Sequence, residues 1–137
     1  MKNFTSNSQK IGEIGENVAC TFLMKQGFTV LERNYTKKWG EIDIIAEKTG
    51  KLYFIEVKAR SVPFLSEKLA GNYAEGVARP EDNMHPMKMK RLSRVIQTYL
   101  MSKQKAGSRE WQVDLYVVFL DLEHRTAKVK VIANIIL

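Results

Sequence analysis

Gly40-Glu-Ile-Asp-Ile-Ile-Ala-Glu-Lys-Thr-Gly-Lys-Leu-Tyr-Phe-Ile-Glu-Val-Lys58 reads as two strands joined by a tight turn. Ile, Val, Phe and Tyr fill both arms, and Glu47-Lys48-Thr49-Gly50 is short-turn chemistry. With Thr49 and Gly50 at the centre of the turn, Lys48 faces Lys51, Ile44 faces Ile55 and Ile42 faces Val57. Asp43 then lies opposite Glu56, and Glu41 opposite Lys58. Alternation puts Ile42, Ile44, Ile55 and Val57 on one face and Glu41, Asp43, Glu56 and Lys58 on the other. A one-residue slip would mix the two sets, so the apolar matching supports this register.

Facing residues in such a pair have Cβ atoms ~5 Å apart. Two carboxylates that close repel unless something neutralises them. Lys58 supplies one positive charge, and a divalent cation would supply the rest. Mg²⁺ takes one or two protein carboxylates, keeps several waters and binds substrate phosphates on its open side. A lysine beside it could deprotonate a water or steady charge on a phosphate oxygen. An acid–lysine trio on a strand is more often a solvated ion network. Here the strands are apolar enough to be internal, and carboxylates beside an internal strand need a reason.

Outward from the hairpin, residues 8–27 carry Ile11, Ile14, Val18, Phe22 and Leu23 at helical spacing, with Gly27 as the stop. Gly15 falls on the apolar side, where a missing side chain would let the helix sit close to a sheet. Phe28–Tyr35 is a plausible strand. Residues 60–85 are interrupted by Gly71, Gly76 and Pro80 and read as a flexible loop, expected to order on nucleic acid. Pro86 opens a second helix to about Lys105, with Leu92, Val95, Ile96, Tyr99 and Leu100 as its core stripe. Trp111–Leu120 is a buried strand and Ala127–Ile136 a final one. The order α-β-β-β-α-β-β predicts an α/β domain with a mixed central sheet flanked by helices.

The 137 residues, 45% hydrophobic and 27% charged, suit one globular domain, 1–137, with 1–8 as a polar tail. Cys20 stands alone, which removes a disulfide framework and a multi-cysteine zinc site. His85 and His124 lack ligand spacing. The start shows no signal-peptide core and no apolar run approaches ~18 residues, so a cytoplasmic chain without a membrane span is expected. The net charge is +7, and His85–Lys105 contributes +6 of it without a single acid. Lys90, Arg91, Arg94 and Lys105 gather opposite the apolar stripe, as in a phosphate-contacting helix. Lys88 projects from the edge of the core-facing side, towards the sheet. Arg60 follows Lys58 on the same strand face and either touches a phosphate or is a surface arginine. Tyr35 and Trp39 either pack or stack on an exposed base.

Asp43, twelve intervening residues, then Glu56-Val57-Lys58 resembles the PD-(D/E)xK nuclease superfamily of Holliday-junction resolvases and type II restriction enzymes. The likeness is closer still to the bacterial YraN family of predicted endonucleases. It is carried by Gly15-Glu16, Arg33-Asn34-Tyr35, Gly40–Ala46 and Phe54–Arg60, and extended by Lys88 and Val113-Asp114. Ile42 stands where the superfamily's proline would be. The resemblance implies a restriction endonuclease-like core of α-β-β-β-α-β order. It implies Asp43 and Glu56 as metal ligands, Lys58 as catalytic lysine, and Glu16 approaching the metal from the first helix.

The expectation is therefore a Mg²⁺-dependent endonuclease, with Mn²⁺ as substitute, that hydrolyses DNA phosphodiesters. Its catalytic set would be Asp43, Glu56, Lys58 and Glu16, and Arg60, Lys88, Lys90, Arg91 and Arg94 would bind nucleic acid. The chain leaves little room for a base-reading module, which favours branched or flapped DNA over a specific sequence. A homodimer would place two sites on a two-fold junction. The alternative is a non-catalytic nucleic-acid-binding protein on the same scaffold, indifferent to metal.

Overall fold

In a computed structural model, residues 7–63, 85–103 and 109–137 are described. Helix α1 (Asn7–Lys25) leads into strands β1 (Thr29–Lys37), β2 (Gly40–Lys48) and β3 (Lys51–Ser61). Helix α2 (Pro86–Ser102) then precedes β4 (Trp111–Asp121) and β5 (Thr126–Ile132). The order α-β-β-β-α-β-β and the mixed sheet match the expected restriction endonuclease-like core. The loop expected over 60–85 falls mostly on residues 64–84, outside the described ones, as do 1–6 of the tail and Lys105.

Among the described residues the sheet has five strands in the order β1-β2-β3-β4-β5. Of these described strands only β3 and β4 run parallel, from Leu52↔Trp111 to Ser61↔Leu120. A parallel pair needs a crossover, and α2 lies within it. This ladder keeps Arg60 and Ser61 in β3, where the sequence suggested that a loop begins. β4 is buried along nearly all its length, which explains its unbroken apolar run.

Each face of the sheet carries one core layer. On the α1 face, Ala19, Cys20 and Leu23 pack against Ile44, Ile55, Tyr116, Val118 and Leu120. A Cβ at Gly15 would overlap that of Ala59 in β3, so the glycine sets how closely α1 approaches. The small residues Gly15, Ala19 and Cys20 form the docking line. Ile14, expected in the stripe, is rotated out and 40% exposed. The helix ends on Gly27, at φ 91°, while the Phe28 N–H reaches back to the Leu23 carbonyl at 3.0 Å.

On the other face, Leu92, Val95, Ile96 and Tyr99 of α2 meet Ile42, Ile45, Leu52, Phe54, Val113 and Leu115. The N-cap of α2 is His85, whose Nδ1 accepts from the Met87 N–H at 3.2 Å. The final strand stops at Ile132 rather than Ile136. Asn134 turns to φ 57° and donates its N–H to Asp114, and Ile135 donates to the Val113 carbonyl. Among the described residues, no helix is long and apolar enough to cross a membrane.

Candidate metal and phosphate site

The turn falls on Thr49 and Gly50, with φ of 49° and 80°, and the β2–β3 register runs from Lys48↔Lys51 to Ile44↔Ile55. One residue further, the backbone ladder gives way to a side chain. The Asp43 carboxylate reaches across the gap, and its Oδ2 accepts the Val57 N–H at 2.8 Å. On the other side of β2, Arg33 pairs with Ile44 and Tyr35 with Ile42, while Asn34 between them sits at φ 52°. Strict alternation lapses here: Ile42 packs on the α2 face, Ile44 on the α1 face. Ile42 therefore does not share a face with Ile44, Ile55 and Val57 as the sequence suggested. A local irregularity of this kind re-aims a side chain, and the one re-aimed is Asp43.

Asp43 and Glu56 meet in a cavity of about 470 Å³ lined also by Gly40, Glu41, Lys88, Arg91 and Leu92. The floor is the parting of β2 and β3, and the wall is the first turns of α2. α2 comes close because Gly40 carries no side chain: a Cβ there would lie 2.9 Å from Val95 Cγ2. Glu56 is 5% exposed, and its Oε2 meets Lys88 Nζ at 3.1 Å. Lys88 thus turns inward while Lys90, Arg91 and Arg94 remain exposed on α2.

Electrostatics follow from this crowding. Burial first, then the neighbouring Glu56, raise Asp43 to about 7, against the Val57 N–H that favours the charged form. Burial also raises Glu56, against the pull of Lys88 and Lys58. Lys58 is lowered by burial and by Lys88 beside it. For Lys88 burial is the largest single influence and acts downward, but Glu56, Lys58 and Asp43 together outweigh it and the net shift is upward. Two raised acids and a lowered lysine thus share one crowded, largely buried space.

No group of three or more His, Cys, Asp or Glu converges on a metal position among the described residues. Two carboxylates suit a hard divalent cation that keeps most of its waters, and the raised acids are what such a cation would reverse.

Glu16 is half-buried on α1, beside Gly15 at the contact with Ala59. Its charge acts on Cys20, and it is not among the residues that line the cavity. Arg60 is half-buried two residues beyond Lys58. Tyr35 packs edge-on against Tyr99 at 5.3 Å. Trp39 donates its indole N–H to Thr98, and the Arg94 guanidinium covers its ring at 4.8 Å. Asp114, 3% exposed, accepts from Gln112 and the Asn134 N–H, which ties down the end of the chain. Glu41, outside the expected site set, lines the cavity and pushes Asp43 upward. Its place in the charged alternation Glu41-Ile42-Asp43 was the available signal.

The model of the uncharacterised protein family UPF0102 matches residues 15–119. A UPF0102 protein of Moorella thermoacetica is 35% identical over 128 residues, 93% of this chain and 96% of its own. A UPF0102 protein of Campylobacter concisus is 40% identical over 108 residues, 78% of this chain and 81% of its own. The matched span begins at the glycine that seats α1 and takes in both carboxylates, both lysines and the parallel strand beside them. Motifs, fold order and relatives agree, and the chain belongs to the UPF0102 family, the YraN family that its sequence resembles.

Proposed function

We propose that this protein is a metal-dependent endonuclease that hydrolyses phosphodiester bonds of DNA, with branched or flapped DNA as preferred substrate. The observation that carries the reading is the meeting of Asp43 and Glu56 with Lys58 and Lys88 where β2 and β3 part. Crowded acids that sit above their ordinary values are costly, and such costs concentrate at functional sites.

Asp43 and Glu56 would hold Mg²⁺, or Mn²⁺ in its place, with Glu16 as a further candidate acting through water. When bound, the cation supplies Lewis-acid polarisation of the phosphate and a more acidic water. The Val57 N–H fixes one oxygen of the Asp43 carboxylate, which would hold the group in place for a cation. Lys58 Nζ, lowered by burial and by Lys88, accepts the proton of the attacking water as its oxygen bonds to phosphorus. The bond from phosphorus to the leaving oxygen breaks in the same displacement, and that oxygen takes its proton from solvent water. Arg91 at the cavity rim, Lys90 and Arg94 along α2, and Arg60 on β3 hold neighbouring phosphates by charge. Such contacts read backbone path rather than base sequence, which supports a structure-selective enzyme.

A non-catalytic nucleic-acid-binding protein is the second reading. The Lys88–Glu56 ion pair favours it, because it satisfies the acid without metal. Cleavage of labelled duplex, single-stranded, flap and four-way-junction DNA with Mg²⁺ or Mn²⁺ separates the two. Wild type is expected to cut and Glu56→Gln to lose at least about a hundredfold, while binding survives. Metal-independent binding without cutting in either protein would establish the second reading. Glu56→Gln is preferable to Asp43→Ala, which would also strand the Val57 N–H.

A further inference from the structure

Lys88 is the third residue of α2, in a first turn that contains no acid. A cation at that end of a helix opposes the helix dipole. The N-cap does not relieve it, since His85 is engaged with the Met87 N–H. Lys88 is held there by Glu56, at 3.1 Å. Its side chain is still 36% exposed, whereas that of Glu56 is 6% exposed. The lysine can therefore swing outward to solvent, while the glutamate cannot leave. Glu41, Asp43 and Glu56 line the cavity with Lys88 and Arg91, and Lys58 interacts with both Asp43 and Glu56, so acidic and basic side chains gather there in equal number.

We propose that Lys88 holds the place of the divalent cation, pairing with Glu56 until metal and a DNA phosphate arrive together. The inference rests on the nuclease reading and adds a control to it. Metal alone would leave Lys88 and the cation crowded on one carboxylate, an excess of positive charge in a partly buried space. A phosphodiester brings the missing negative charge and gives the displaced ammonium a new partner. Metal binding is then weak without DNA and strengthened by it, which guards the site against idle metal occupancy. Lys88 acts as a positioning residue, and its contribution is visible in metal affinity before any bond is cut.

The test is Mn²⁺ binding to the full chain without DNA, followed by electron paramagnetic resonance, for wild type, Lys88→Met, Lys88→Arg and Glu56→Gln. Lys88→Met is expected to bind Mn²⁺ about tenfold more tightly than wild type, the scale on which neighbours of metal ligands change affinity. Lys88→Arg keeps the charge and should bind as wild type does. Thermal unfolding of Lys88→Met should be lower than wild type in chelator and recover with Mn²⁺ by a larger rise. A DNA duplex with non-hydrolysable linkages should tighten Mn²⁺ binding in wild type and do so less in Lys88→Met. Equal or weaker Mn²⁺ binding by Lys88→Met, with binding still dependent on Glu56, would overturn the place-holding role and leave the nuclease reading intact. Absence of Glu56-dependent Mn²⁺ binding in wild type and Lys88→Met alike would overturn both.

Discussion

Thr49 holds φ at 49° in the turn between β2 and β3, directly before Gly50 at 80°. Two positive φ values in a two-residue loop match the right-handed twist of the flanking strands, and Asn-Gly is the pair that meets the demand at least cost. A β-branched residue in that region is strained, because its Cβ substituents crowd the backbone. Thr49→Asn should therefore raise stability by about 0.5–1 kcal/mol. Chemical denaturation reads this as a higher midpoint at unchanged slope. A lower midpoint would mean that the threonine side chain makes up for its backbone elsewhere. The turn lies far along the hairpin from Asp43, yet it sets the register that brings Asp43 towards β3. A site residue is placed by a turn residue that touches no substrate.

At the scale of elements, the candidate site exists because two helices close on the sheet at glycines. Gly40 admits α2, and Gly15 admits α1 against Ala59 on the opposite face. Gly15→Val should push α1 off β3 and lower stability by about 1–3 kcal/mol, the range for overpacking. A thermal midpoint equal to wild type would show that α1 can shift without loss. The register from Lys48↔Lys51 to Ile44↔Ile55 and the role of Gly15 were legible in the sequence because each rested on a local rule: a turn pair, matched apolar arms, a small residue on an apolar stripe. The pairs expected beyond it, Ile42 with Val57, Asp43 with Glu56 and Glu41 with Lys58, are not in the ladder. The flip at Ile42 was not legible. β2 is buried on both faces, so Ile42, Ile44 and Ile45 are apolar whichever way they point, and no polar partner marks the lapse. The orientation of α1 was hidden for a related reason. Ile14 looks like core by hydrophobicity, but the close approach belongs to the small residues Gly15, Ala19 and Cys20. The inward turn of Lys88 could be read from its place at the edge of the stripe, whereas its ion pair with Glu56 depends on the crossover between β3 and β4.

At the scale of the whole molecule, the crowded acids tie stability to pH. Asp43 titrates at about 7 in the folded chain and near 3.8 when its surroundings are lost, so between these values the folded state holds a proton that the unfolded state has released. Stability must then fall as pH rises from about 4 to about 7, and Glu56, also raised, acts in the same direction. The net charge of +7 works the other way, because acid adds positive charge to a chain already repelling itself. Asp43→Asn separates the two effects. It keeps an acceptor for the Val57 N–H, leaves the general charge effect in place, and removes the Asp43 titration. In chelator, the stability of Asp43→Asn relative to wild type should grow across that window by on the order of a few kcal/mol. Mg²⁺ needs ionised carboxylates, so saturating metal should stabilise wild type more at the upper end of the window and shrink the difference. Parallel pH profiles for the two proteins in chelator would mean that Asp43 stays ionised throughout. Burial and Glu56 would then not hold a proton on Asp43, and its carboxylate would meet a cation already charged.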